Sequence, residues 1–257
     1  MTGEQQRIPV VPTSALPAGA GTVALVTGGA RGLGRAVAGQ LAARGVEVLV
    51  GSRRPDEAVA ATRGLPGVSV LPAPLDLTDQ RSVDAALRVV EETRGRLDVL
   101  VNNAAAPPDW DNDVVEADLA AAARVLEVDL FGTWRMTISA LPLLRRSPGP
   151  RVVNVSSGAG SHADGRYGLA VSGGAFPGHA IGKAAVNALT SALAAALADT
   201  PVLVNAVCPD VTATVPGAAA RGARPAAASA PGVVWAATLP PDGPRGGFHR
   251  DGAALGW

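Results

Sequence analysis

From Thr22 onward, short runs rich in Val and Leu alternate with amphipathic stretches. The runs at 23–26 (VALV), 46–50 (VEVLV), 68–71 (VSVL), 97–101 (LDVLV), 151–155 (RVVNV) and 202–207 (VLVNAV) contain few polar breaks. That is the pattern of parallel strands buried on both faces. Between them, 34–45, 56–64, 82–95, 117–146 and 183–199 carry apolar positions at helical spacing. Strand and helix in regular alternation imply βαβ crossovers. The expected fold is α/β: a single Rossmann-type, doubly wound parallel sheet of about seven strands flanked by helices. Two stretches rich in Gly and Ala, 158–178 and 216–232, break the rhythm and read as substrate loops or as flexible filler. Residues 1–20, with Pro9, Pro12 and Pro17 and few apolar anchors, read as a flexible N-terminal tail. Residues 21–257 then form one domain.

Composition narrows the function classes. The 257 residues are 47% hydrophobic, enough to bury a full core. The 22 basic and 22 acidic residues cancel, which argues against a nucleic-acid or anionic-membrane partner. No apolar run is long enough to cross a bilayer, and the N-terminus lacks the basic flank and apolar core of a secretory signal, so a cytoplasmic location is expected. The single cysteine, Cys208, excludes a disulfide framework or a cysteine-rich metal site and reads as a buried, inert thiol. Of the 22 basic residues, 21 are Arg and one, Lys183, is Lys. In so Arg-biased a chain, a solitary Lys marks either a position where a compact, tunable cation is required or an incidental surface charge.

The first apolar run leads straight into TGGARGLG (27–34) and then a helix. Glycines there permit a tight turn and let a pyrophosphate approach the helix N-terminus, where free N–H groups favour anions. Gly28, Arg31, Gly32, Leu33 and Gly34 are therefore candidate cofactor contacts. The second run ends in VGSRR (50–54) with no acidic residue for a ribose 2′-hydroxyl. Arg53 and Arg54, with Arg31, suit a 2′-phosphate instead, so NADP(H) is favoured over NAD(H).

Together, TGGARGLG (27–34), DLTD (76–79), NNAA (102–105), VVNVSS (152–157), KAAVNALT (183–190) and NAVCP (205–209) resemble the short-chain dehydrogenase/reductase superfamily over residues 22 to 257. The segment 239–248 looks most like its carbonyl-reductase branch. By that resemblance Asp76 and Leu77 border the adenine, and Asn102 and Ala104 run along the cofactor. Thr214 lies near its nicotinamide half, and Pro209 is a further candidate cofactor contact. The family's chemistry rests on a Ser, a Tyr and a Lys, the last two four residues apart on one helical face. Ser157 matches the serine and Lys183 the lysine, which then holds the nicotinamide ribose. The tyrosine is replaced by His179. The chain's one tyrosine, Tyr167, has Val171 four residues on, so the register has not slipped. Two further departures accompany this one: Asp129 stands where the family has a relay Asn, and Asp210 where it has a Gly beside the nicotinamide.

Imidazole, with an ordinary pKa of about 6.5, suits acid–base work near neutrality. A Lys183 cation nearby would push it down, and Asp129 could counter by stabilising the imidazolium. A histidine that merely fills space after loss of catalysis is the other reading. Tyr167, in a loop with His162 and Asp164, could swing in a replacement hydroxyl. His249 reads as a surface or lid residue, and Trp110 as packing or pocket lining. The candidate catalytic set is Ser157, His179, Lys183 and Asp129, with no metal. Three functions follow. The first is an NADP(H)-dependent ketoreductase acting on a hydrophobic carbonyl compound, in specialised metabolism if the Ala, Gly, Arg and Pro bias reflects a high-GC genome. The second is a non-redox cyclase, dehydratase or isomerase on the same scaffold. The third is an NADP(H)-binding pseudoenzyme. Family habit is compatible with a homodimer or homotetramer.

Overall fold

The computed structural model describes residues 21–108, 113–214 and 217–257. The expected tail and Trp110 lie outside them. All six apolar runs form strands: β1 (Val23–Thr27), β2 (Glu47–Gly51), β3 (Val68–Val70), β4 (Val99–Asn102), β5 (Arg151–Val155) and β6 (Leu203–Cys208). A small pair, β7 (Thr212–Ala213) and β8 (Arg224–Pro225), stands apart from the main sheet, and β9 (Phe248–Arg250) and β10 (Ala253–Ala254) complete the set. The main sheet runs β10-β9-β6-β5-β4-β1-β2-β3 and is parallel except for β10. From β1 the chain proceeds to β2 and β3 on one side and then returns to β4 on the other. The order therefore reverses between β1 and β4, where open α/β sheets place their ligands.

Helices α1 (Gly32–Ala42), α2 (Pro55–Thr62), α3 (Gln80–Arg94), α4 (Leu119–Leu126), α5 (Thr133–Leu144), α6 (Pro177–Ala196) and α7 (Ala226–Ala237) form the outer layers. Successive strand residues point to opposite faces. Leu25, Leu100 and Val152 pack with Leu87 of α3, Met136 of α5 and Leu193 of α6. On the other face Val26, Val101 and Val153 pack with Val37 and Leu41 of α1 and Val233 of α7. Among the described residues no helix is long and apolar enough to cross a membrane.

The stretch 216–232 is not all loop: α7 begins at Ala226. Alanine is the strongest helix former, and burial of Ala230, Val233 and Val234 against the sheet outweighs the interior Pro231. Pro231 cannot donate to the carbonyl four residues back, and Gln40 Nε2 supplies a hydrogen bond to that Ala227 oxygen instead, at 2.9 Å.

Candidate active site

The ends of β1, β4, β5 and β6 lie side by side on one edge of the sheet. Thr27 closes β1, and its Oγ1 accepts the N–H groups of Asn103 and Ala104, each at 3.0 Å. Asn103 Nδ2 donates back to the Thr27 carbonyl at 2.9 Å, which ties the NNAA turn to the glycine-rich one. Gly28 and Gly32 sit at φ 63° and 51°, in the left-handed region. A Cβ on Gly34 would collide with Asn103 Nδ2 and the Gly28 carbonyl. Helix α1 starts after Arg31 with no side-chain cap, so the N–H groups of its first turn face the groove unclaimed by a capping side chain. A bare helix N-terminus lined by glycines fits a pyrophosphate.

Arg31 and Arg53 are exposed beside this turn, whereas Arg54 pairs with Glu57 at 2.9 Å. Thr78 N–H, donating to Asp76 Oδ1 at 2.9 Å, holds that carboxyl below the usual carboxylate range against the effect of burial, with help from Arg53 and Arg135. Leu77 is buried, its carbonyl accepting from Arg135 Nη1. The Asn102 side chain turns away from the groove into a buried network, donating to Thr137 Oγ1 at 2.9 Å and to Asn154 Oδ1 at 2.8 Å. Leu33 is buried in the core face of α1. Thr214 lies against Gly32, beside the glycine-rich turn.

At the other end of the edge, Ser157 follows β5 and caps a short 3₁₀ turn, Gly158–Gly160, its Oγ accepting from Ala159 N–H at 3.2 Å. Helix α6 begins at Pro177, six residues earlier than Lys183, so His179 sits in its first turn and Lys183 in the next. The residue before Pro177 is barred from ordinary helical backbone, and Phe176 takes the left-handed conformation at φ 41°, with its ring edge-on to His179 at 6.2 Å. Lys183 Nζ donates to the Val155 carbonyl at 3.1 Å, at the end of the strand that presents Ser157. Its ammonium also lies 3.0 Å from Asp129 Oδ2, an ion pair rather than an aligned hydrogen bond. Asp129 is fully buried, and its Oδ1 accepts from Ala106 N–H at 2.8 Å. It projects from a π-helical turn, Glu127–Gly132, that joins α4 to α5. The structure thus brings Asp129 to Lys183, so the carboxylate is engaged by the lysine.

Tyr167 is held in place. Burial, followed by the charge of the nearby Asp210 carboxylate, keeps its phenol above the ordinary tyrosine range. The Arg166 and Arg250 guanidinium groups lie 4.6 and 5.4 Å from its ring centre. A phenol so fixed keeps its proton, the opposite of what a replacement acid needs. Asp210 occupies φ 61°, a backbone shape that favours glycine and that Asp tolerates. Pro209 accepts from Arg224 through its carbonyl at 2.7 Å. Cys208 is buried, but its sulfur is engaged: it accepts from Gly158 N–H at 3.1 Å and from Arg250 Nε at 3.4 Å. His249 is neither surface nor lid. It is 7% exposed on β9, edge-on to Trp235 at 4.9 Å, because β9 is enclosed between β6, β10 and α7.

Sequence reasoning missed Thr27, Asn103, Arg135 and Arg250. The first two lie inside quoted motifs and could have been found as the polar residues of otherwise apolar turns. The two arginines carry no local signal.

The short chain dehydrogenase family matches residues 22–224. The chain is 40% identical over 149 residues to the protein named as ketoacyl reductase 2 of the granaticin polyketide synthase in Streptomyces violaceoruber, covering 56% of this chain and 57% of that one. It is 34% identical over 228 residues to the short-chain dehydrogenase anuI of Penicillium roqueforti, covering 83% and 87%. Among solved structures, salutaridine reductase from Papaver somniferum superposes with a TM-score of 0.70 at 25% identity, covering 88% of this chain and 99% of that one. A structure described as ribose-5-phosphate isomerase from Brucella melitensis superposes with a TM-score of 0.76 at 28% identity, covering 90% of each chain.

Proposed function

Given that the chain belongs to the short-chain dehydrogenase family, whose members use a nicotinamide cofactor on small molecules, we propose that it is an NADP(H)-dependent ketoreductase with an altered proton donor. The observation that carries this reading is the shared edge. The glycine-rich turn follows β1 and Ser157 follows β5 on the same edge of the sheet, and the buried Lys183, paired with Asp129, reaches the Val155 carbonyl at the end of β5. The N-terminus of α1 with Gly28, Gly32 and Gly34 holds the pyrophosphate, Arg31 and Arg53 meet the 2′-phosphate, and Asp76 and Leu77 border the adenine. Hydride chemistry is what the nicotinamide ring supplies when bound. Ser157 orients the substrate carbonyl through its hydroxyl, and His179 gives that oxygen a proton.

Asp129 supplies the logic of the His-for-Tyr exchange. A phenol acid benefits from an uncompensated lysine cation, because the cation eases loss of its proton. An imidazolium beside the same cation would lose its proton too readily to act as an acid. The carboxylate 3.0 Å from Lys183 cancels that charge. The substrate we propose is a hydrophobic carbonyl compound of the kind polyketide reductases handle, in keeping with the relative from Streptomyces violaceoruber.

The test is titration with NADPH and, separately, NADH. The expected result is a preference for NADPH of at least about tenfold, some 1.4 kcal/mol, removed by Arg53→Asp. Equal affinity, or no effect of Arg53→Asp, refutes the 2′-phosphate assignment. A second reading, proton transfer without redox, draws on the same ion pair, since Asp129 occupies the lysine. It predicts product formation with no change in the nicotinamide absorbance band.

A further inference from the structure

Gly158 and Gly160, the two residues that bracket the turn after Ser157, are wedged from opposite sides. A Cβ on Gly160 would meet the backbone of α6 at Lys183 and Ala184, with Lys183 Cβ only 2.8 Å away. A Cβ on Gly158 would collide with Arg250 Nη2 and Asp164 Oδ2. The turn that carries Ser157 is therefore pressed against the lysine helix by an ion pair whose cation comes from β9, far along the chain. Arg250 Nη2 pairs with Asp164 Oδ2, and its Nε and Nη2 both reach the Cys208 sulfur at 3.4 Å. The same sulfur accepts Gly158 N–H at 3.1 Å. Asp164 is itself fixed: its N–H donates to Ser161 Oγ at 2.9 Å, and its Oδ1 accepts from Arg166 N–H at 2.8 Å. Next to the pair, Ser161 Oγ donates to the Gly256 carbonyl at 2.7 Å, and the His162 and Ala163 N–H groups both donate to the Trp257 carbonyl at 3.0 Å. The segment from β9 onward thus fastens the loop after Ser157 at several points.

We propose that Arg250, acting through Cys208 and Asp164, is a positioning residue that sets Ser157 against Lys183. This rests on the reductase reading for its kinetic consequence but not for its structural one. The guanidinium presents Nε and Nη2 as one rigid planar fork that fixes the sulfur and the carboxylate relative to each other, which an ammonium on a flexible four-carbon stem does not. Misplacing a reacting group by about 1 Å can cost on the order of a hundredfold in rate, whereas Arg250's hydrogen bonds go to Cys208 and Asp164, not to the glycine-rich turn after β1, which β4 separates from β5.

The test compares wild type with Arg250→Lys, which keeps a cation beside Asp164, and with Cys208→Ser, which keeps an acceptor for Gly158. For NADPH-dependent reduction of a carbonyl panel, Arg250→Lys should lower kcat by roughly tenfold to a hundredfold with NADPH affinity unchanged within about twofold. Cys208→Ser should fall between it and wild type. Unchanged kcat, or parallel losses in kcat and NADPH affinity, overturns the proposal. Amide hydrogen exchange supplies an arm that needs no activity. Arg250→Lys should speed exchange in peptides spanning 156–165 by about tenfold or more, with no change in 186–196. If wild type reduces nothing, the reductase reading fails while exchange still judges the clamp; unchanged exchange at 156–165 overturns the clamp in either case.

Discussion

At the scale of single residues, charge ties two acidic side chains to their surroundings. Asp129 pairs with Lys183 at 3.0 Å, and Asp210, at a left-handed backbone position, lies close enough to Tyr167 for its charge to raise the phenol's pKa. On the proposed reading His179 is the acid that the first of these pairs serves. Asp129→Asn leaves the Lys183 cation uncancelled four residues from His179. The imidazolium then gives up its proton at lower pH, so the alkaline limb of the pH–rate profile should move to lower pH and the rate at pH 7.5 fall by roughly tenfold. A profile that does not move would separate Asp129 from the acid. His179→Phe should abolish reduction and leave NADPH binding intact, as followed by tryptophan quenching. Lys183 was legible as the one lysine among 21 arginines. Its pairing with Asp129 was not, because a relay position in α4–α5 and a position in α6 become neighbours only when the two helices pack.

At the scale of elements, the parallel strands and their turns were the most readable part. Continuous Val and Leu runs have no other stable solution than burial on both faces. The turn from Gly28 to Gly34 follows directly, and it makes a sharp prediction. Gly34→Ala places a Cβ against Asn103 and the Gly28 carbonyl, so dinucleotide affinity should drop by at least about tenfold on the anion-site logic of the helix N-terminus, read by calorimetric titration. Helix α7 was the element misread, as Gly- and Ala-rich loop. Its apolar residues lie all round rather than in a stripe, so no period announces it, and its enclosure between α1 and the sheet adds what the alanines' helix propensity alone does not show.

At the scale of the whole molecule, the last strands do more than finish the sheet. Besides Arg250, β9 carries His249, whose burial keeps its imidazole below the ordinary histidine range. The folded protein therefore resists protonating it, while the unfolded chain takes up a proton near pH 6.5. Stability from this group is present above that pH and is lost as pH falls below it. His249→Phe should narrow the difference in melting temperature between pH 7.5 and pH 5.5; an unchanged difference would show that His249 does not titrate on unfolding. The amino-acid sequence by itself determined the α/β alternation, the glycine-rich turn after β1 and the family motifs around Ser157 and Lys183, because periodicity and short motifs are local properties of the chain. Only the tertiary structure decided that Asp129 faces Lys183, that Tyr167 lies under the Arg166 and Arg250 guanidinium groups and that Arg250 bears on the serine turn. Each of these is a contact between segments distant in sequence, and charge and hydrogen-bond partners are settled by which elements pack together.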